Sequence, residues 1–145
     1  MEINLLGVLP EALLIDLPEI DVQHEEIFRR IEQLKADCYG SGPVSFDEFD
    51  GLLDYLKHHF STEESVAAEA GASFGEHAKI HRQNLRKLRK AFDEVRQGTR
   101  DVHSFLRYVE YWFERHINEE DKPFASSVRE CRLKSPVAIL PESGP

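Results

Sequence analysis

Apolar side chains recur every three to four residues in four successive stretches, with turn signals between them. The first spans residues 17–39, with Ile20, Ile27, Phe28, Ile31, Leu34 and Cys38 on one stripe. Asp16 is the expected N-cap, Pro18 sits in the first turn, and Gly40, Gly42 and Pro43 stop the helix. The second opens at a Ser45/Glu48 capping box and ends near Gly71. Its stripe is Phe49, Leu52, Leu53, Leu56, Phe60, Val66 and Ala67. The third opens at a second capping box, Ser73/Glu76, and carries Phe74, Leu85, Leu88, Phe92 and Val95 up to Gly98. The fourth starts after Thr99 or Asp101 and carries Val102, Phe105, Leu106, Val109, Trp112, Phe113 and Ile117, with Pro123 expected to close it.

Short connections make successive helices antiparallel neighbours, so the expected fold is all-α, an up-down-up-down four-helix bundle. Residues 1–16 form an N-terminal arm, residues 17–124 the bundle, and residues 125–145 a C-terminal extension. Cys38 and Cys131 fall at opposite poles of such a bundle, beyond disulfide reach, and are expected as reduced thiols.

Seven polar side chains fall on the apolar stripes. His24 lies one turn before Ile27 and Phe28. His59 and Glu63, four apart, continue the line of Leu52 and Leu56. His77 and His81, also four apart, lead into Leu85. His116 follows Val109 and Trp112, and Asp121 comes five residues later. Residues four apart share a helix face. Each helix therefore turns one or two imidazoles or carboxylates toward a core of Leu, Phe and Ile. Unpaired polar groups there cost free energy, and a metal satisfies them all together. One such pair is ordinary in a chain with 7 histidines; a set on each of four helices, all in phase with the core, is not. His58 lies one residue off this phase and His103 about three turns from His116, so both are expected to stay clear of the metal.

The stretches Ile20-Asp21-Val22-Gln23-His24, His59-Phe60-Ser61-Thr62-Glu63-Glu64, His77-Ala78-Lys79-Ile80-His81 and His116-Ile117-Asn118-Glu119-Glu120-Asp121 resemble the hemerythrin family, specifically its single-domain bacterial members. The resemblance covers roughly residues 13–124. It implies two non-haem irons bridged by an oxo or hydroxo group. His77, His81 and His116 would bind one iron, His24 and His59 the other, and Glu63 and Asp121 would bridge them. The second iron is then one ligand short, and dioxygen is the implied ligand at that vacancy. The resemblance also places Ile27, Phe60, Trp112, Phe113 and Ile117 around the oxygen pocket. Phe113 stands where other carriers have a leucine, which implies a narrower pocket. Ala67 stands where a larger residue is frequent, which implies an opening toward solvent. Gln23, Glu64, Asn84, Glu110 and Glu114 are the candidates to hold the outward N–H groups of the imidazoles.

The implied function is reversible dioxygen binding for carriage, storage or sensing, with an oxygen-using enzyme as the expected recipient. The alternative is a diiron oxidase, peroxidase or nitric-oxide reductase. Such enzymes usually carry more carboxylate ligands, and five imidazoles with two acids favour binding over catalysis. Iron stores and iron-sulfur repair proteins, a third class, usually add a cysteine-bearing N-terminal domain. The net charge of −9 argues against nucleic-acid or anionic-membrane partners. The first twenty residues lack the basic start of a secretory signal, and no apolar run is long enough to span a bilayer. A cytoplasmic protein is expected, with its oligomeric state open.

Overall fold

The computed structural model describes residues 9–39 and 46–134. A 3-10 turn, Glu11–Leu13, precedes helix α1 (Pro18–Tyr39). Helices α2 (Phe46–Ala70), α3 (Gly75–Arg96) and α4 (Val102–His116) follow. A π turn, Ile117–Asp121, then leads into α5 (Lys122–Lys134). Helix α1 packs on α2 and α4, and α3 packs on the same two, which closes the four-helix ring. Among the described residues no helix is long and apolar enough to cross a membrane.

The predicted stripes form the core. Ile20, Ile27, Ile31, Leu52, Leu56, Leu88, Phe92, Phe105 and Phe113 are fully buried. At one pole Phe49 stacks on Phe92 with ring centroids 5.3 Å apart, and Phe105 lies 5.9 Å from Phe49. These rings come from the start of α2, the end of α3 and the start of α4, as the antiparallel order requires. They seal that pole with apolar contacts and leave the polar residues to the other half.

Three helix ends differ from the sequence expectation. Asp16 is not the N-cap of α1; it takes a positive φ of 63° just outside the helix. The Asp21 carboxylate reaches back instead and accepts from the N–H groups of Ile15 (2.9 Å) and Asp16 (3.1 Å). The Ser73/Glu76 box does not form either: Phe74 occupies the N-cap of α3 with no side-chain cap. Ser45, with the predicted box of α2, lies outside the described residues, as do Gly40, Gly42 and Pro43. Asp101 does cap α4, accepting from Ser104 N–H at 2.9 Å.

Pro123 does not close the fourth helix. A proline lacks an N–H and pushes away the carbonyl four residues back. The wide turn immediately upstream absorbs that clash: Lys122 N–H donates to Ile117 O, five residues earlier. The helix then continues to Lys134, and Phe124, Ala125 and Val128 are buried against the bundle.

From Leu9 on, the segment before α1 is anchored to the bundle. Leu9, Leu13, Ile15 and Leu17 join the core. Leu9 N–H donates to the buried Glu25 carboxylate at 2.7 Å, Lys122 Nζ donates to Ala12 O at 2.7 Å, and Arg129 Nη1 donates to Ile15 O at 2.5 Å. Cys38 and Cys131 are both free, with Cys131 Sγ beside the Gly71 carbonyl at the pole away from the aromatic cluster.

Candidate metal centre

All seven polar residues of the stripes converge in the half of the bundle away from that aromatic cluster. His24, His59, Glu63 and Asp121 are 0 % exposed, His116 2 % and His81 4 %; His77 is half-buried. They form two groups that share their carboxylates. One holds His77, His81 and His116 with Glu63 and Asp121; the other holds His24 and His59 with the same two acids. Within each group the donor atoms lie within 4.8 Å of one another. His58, exposed on α2, and His103, near the start of α4, belong to neither group.

Asp121 reaches the site because of the π turn. Five residues along a regular α-helix turn the side chain about 140° away from the starting face. The wider turn uses up that extra residue, so His116 and Asp121 both face inward.

The two carboxylates are oriented alike. Glu63 Oε1 lies 3.0 Å from His77 Nε2 and 3.2 Å from His81 Nε2. Its Oε2 lies 3.0 Å from His59 Nε2 and 3.8 Å from His24 Nε2. Asp121 Oδ1 lies 3.3 Å from His77 Nε2 and 3.2 Å from His116 Nε2, whereas Oδ2 lies 3.2 Å from His24 Nε2. Each acid thus gives one oxygen to each histidine group.

These donors suit a metal on their own showing. Glu63 Oε2, both Asp121 oxygens, and the Nε2 atoms of His81 and His116 are buried without an aligned hydrogen bond. His24 and His59 point their Nε2 atoms at each other, 3.1 Å apart. Inward lone pairs in a dry core repel unless cations sit among them. Imidazole nitrogen with carboxylate oxygen suits iron, zinc or manganese better than a soft ion.

The metal-free electrostatics reflect the same crowding. Burial opposes charge on His116 and His77, yet Asp121 and Glu63 outweigh it and raise them to about 10 and about 9. His24 is raised in the same way. Burial wins at His59 and His81, which are lowered. Burial also works against charge on Glu63, but four facing imidazoles hold it well below the usual range. Asp121 is held low by His116 and His24 against burial and the neighbouring Glu63.

Two imidazoles have defined outer partners. Thr62 Oγ1 donates to His58 O (3.3 Å) and accepts from Gln23 Nε2 (2.9 Å). This directs Gln23 Oε1 at His59 Nδ1, 2.8 Å away. His59 must donate there, which leaves Nε2 as the inward lone pair. His116 Nδ1 lies against the Glu120 carboxylate. Sequence reasoning missed Glu120, although it sits four residues after His116 on the same face. Of the other candidates, Glu110 pairs with Lys35 at 3.1 Å. Glu64, Asn84 and Glu114 hold no imidazole among the described residues.

Aromatic rings pack against both groups. Phe113, fully buried, stands edge-on to His24 with centroids 5.2 Å apart and 6.3 Å from His59. Ile27 and Ile117 are also fully buried. Phe60 stacks on His81 at 3.8 Å and 10°. Trp112 stacks on His116 at 5.4 Å, which places it beside the three-histidine group. Ala67 is completely enclosed in the core.

The family model for the hemerythrin HHE cation binding domain matches residues 16–126. The bacteriohemerythrin of Pseudomonas aeruginosa (strain UCBPP-PA14) is 30 % identical over 113 residues, covering 76 % of this chain and 73 % of that protein. The bacteriohemerythrin of Stenotrophomonas maltophilia (strain R551-3) is 27 % identical over 127 residues, covering 86 % and 82 %. No solved structure matches significantly. With a family match that spans all four helices and a donor cluster built from each of them, this chain belongs to the hemerythrin HHE cation-binding family.

Proposed function

We propose that this chain binds dioxygen reversibly at a pair of non-haem irons, for carriage, storage or local supply to an oxygen-using enzyme. The observation that carries the reading is the division of both carboxylates between two unequal histidine groups. In this reading His77, His81 and His116 would hold one iron and His24 and His59 the other, with Glu63 and Asp121 within reach of both. The smaller histidine set would leave its iron the position for dioxygen. When bound, the iron pair supplies electrons that dioxygen takes up and gives back.

The protein's own side chains keep that exchange clean. Phe113 stands edge-on to His24 on the two-histidine side, and the fully buried Ile27 and Ile117 add to the apolar core that keeps water out. Surface clefts approach the other side: His116 lines one of about 260 Å³, His81 one of about 230 Å³, and His77 one of about 320 Å³. Gln23 and Glu120 fix the ring orientations of His59 and His116. The supply of five imidazoles against two acids supports binding rather than catalysis.

The test is metal analysis followed by anaerobic reduction and admission of oxygen. Two irons per chain, and a visible charge-transfer band that appears with oxygen and bleaches under vacuum, are expected. Immediate conversion to the oxidised form, with no reversible stage, would assign the site to redox catalysis or sensing instead.

A further inference from the structure

The acidity of the chain is unevenly spread. Helix α3 carries Lys79, Arg82, Arg86, Lys87, Arg89 and Lys90, with no acid between Glu76 and Asp93. All six are exposed. Arg89 reaches Asp50 at 3.6 Å, and the other five form no ion pair among the described residues. Positions 79, 82, 86 and 89 recur at helical spacing and make one stripe.

That stripe borders a groove between α2 and α3. Two hollows of about 400 and about 230 Å³ share Lys57 and Leu85 in their linings, so they lie side by side along α3. The half-buried Leu85, with the edges of the buried Leu53 and Phe60, gives the groove an apolar floor, and its rim is mostly basic, with Asp93 and Glu64 as the acids on it. It follows α3 from Phe74 to Asp93, about 28 Å at the helical rise. His81 lines the end near the metal centre, with Phe60 stacked on it at 3.8 Å.

We infer that this groove is the docking face of a small acidic electron-transfer protein, which reduces the oxidised centre through Phe60 and His81. The inference rests on the diiron reading above. Charge complementarity selects an acidic partner. The apolar surface selects a folded protein with an amphipathic face over a phosphate backbone, which offers nothing to pack there. An oxidised centre cannot give electrons to oxygen, so a reductant has to reach it. Each docking passes one electron: the partner is oxidised by one, and one ferric ion becomes ferrous. Two dockings restore the pair.

The test uses the iron-loaded full chain and a reduced plant-type [2Fe–2S] ferredoxin as the acidic probe. Calorimetry should give micromolar binding at low salt, weakened about tenfold or more at physiological ionic strength. Arg86→Glu with Lys90→Glu should weaken binding by about tenfold and slow ferredoxin-driven reduction by a similar factor. Reduction by the neutral donor reduced lumiflavin should be unchanged, which excludes a folding defect. Lys134→Glu, at an exposed position on α5, should behave as the parent. The docking is overturned if the double variant binds and is reduced as fast as the parent. It is equally overturned if ferredoxin fails to bind while phosphatidylserine vesicles or duplex DNA do. A chain that takes up no iron fails the diiron reading itself, whereas two irons with charge-insensitive reduction fail the docking alone.

Discussion

His59 shows how a ligand's protonation is set from outside the metal centre. The Thr62 hydroxyl orients the Gln23 amide, and the amide oxygen takes the Nδ1 proton. Removing that acceptor frees the ring to rotate or to adopt the other tautomer. Gln23→Ala should therefore weaken metal retention about 10- to 100-fold, and Gln23→Glu, which keeps an acceptor, should restore most of it. Competition with a chelator measures both, and equal retention in the alanine variant would refute the role. Helical phase makes six of the seven inward donors legible and separates them from His58, whereas Asp121, five residues after His116, turns inward only through the π turn. The sequence could not choose among five outer candidates, since that depends on which neighbouring helix each side chain meets. Glu110, for example, goes to Lys35 across the bundle. Trp112 is a similar case: its phase brings it to the core edge, and packing sets it on the His116 ring.

The fourth helix carries the largest gap between pattern and element. His116 and Asp121 are five apart, a spacing that a regular helix cannot turn to one face. The π turn resolves that spacing and lets α5 continue past Pro123. A proline and a phase slip together read as a helix end, whereas they mark a bulge at the site. Residues 122–134 then belong to the core, because Phe124, Ala125 and Val128 are buried there. Val128→Asp should destabilise the protein by more than about 3 kcal/mol, through a charge placed in apolar surroundings. Leu133→Asp, at a position 82 % exposed, should change stability by less than about 0.5 kcal/mol. Denaturant titration of the two variants decides this, and equal effects would show that α5 does not pack as described. The packing of residues 9–16 of the arm is likewise not legible in the sequence, since their anchors are backbone groups held by distant residues such as Glu25 and Arg129.

Across the whole molecule, composition concealed two separations of charge. A net charge of −9 gave no sign of the basic face on α3. It also hid a core in which two acids hold His77 and His116 protonated above the usual imidazole range. In the metal-free protein those raised imidazoles stabilise the fold fully below about pH 6.5 and lose that contribution as pH climbs through about 9 and 10. The lowered carboxylates act in the opposite sense, contributing above the ordinary carboxylate range and losing it as acid titrates them. A metal binds only the deprotonated nitrogens, so it must displace those protons. Ferrous uptake at pH 7 should then release protons from both His77 and His116, and its affinity should rise steadily from pH 7 toward 9. The metal-free protein should lose stability over the same interval. Calorimetry in buffers of different ionisation enthalpy reads the proton count, and thermal melts of both forms read the stability. Uptake without proton release, with affinity flat over this interval, would mean that His77 and His116 are not the nitrogens the metal takes.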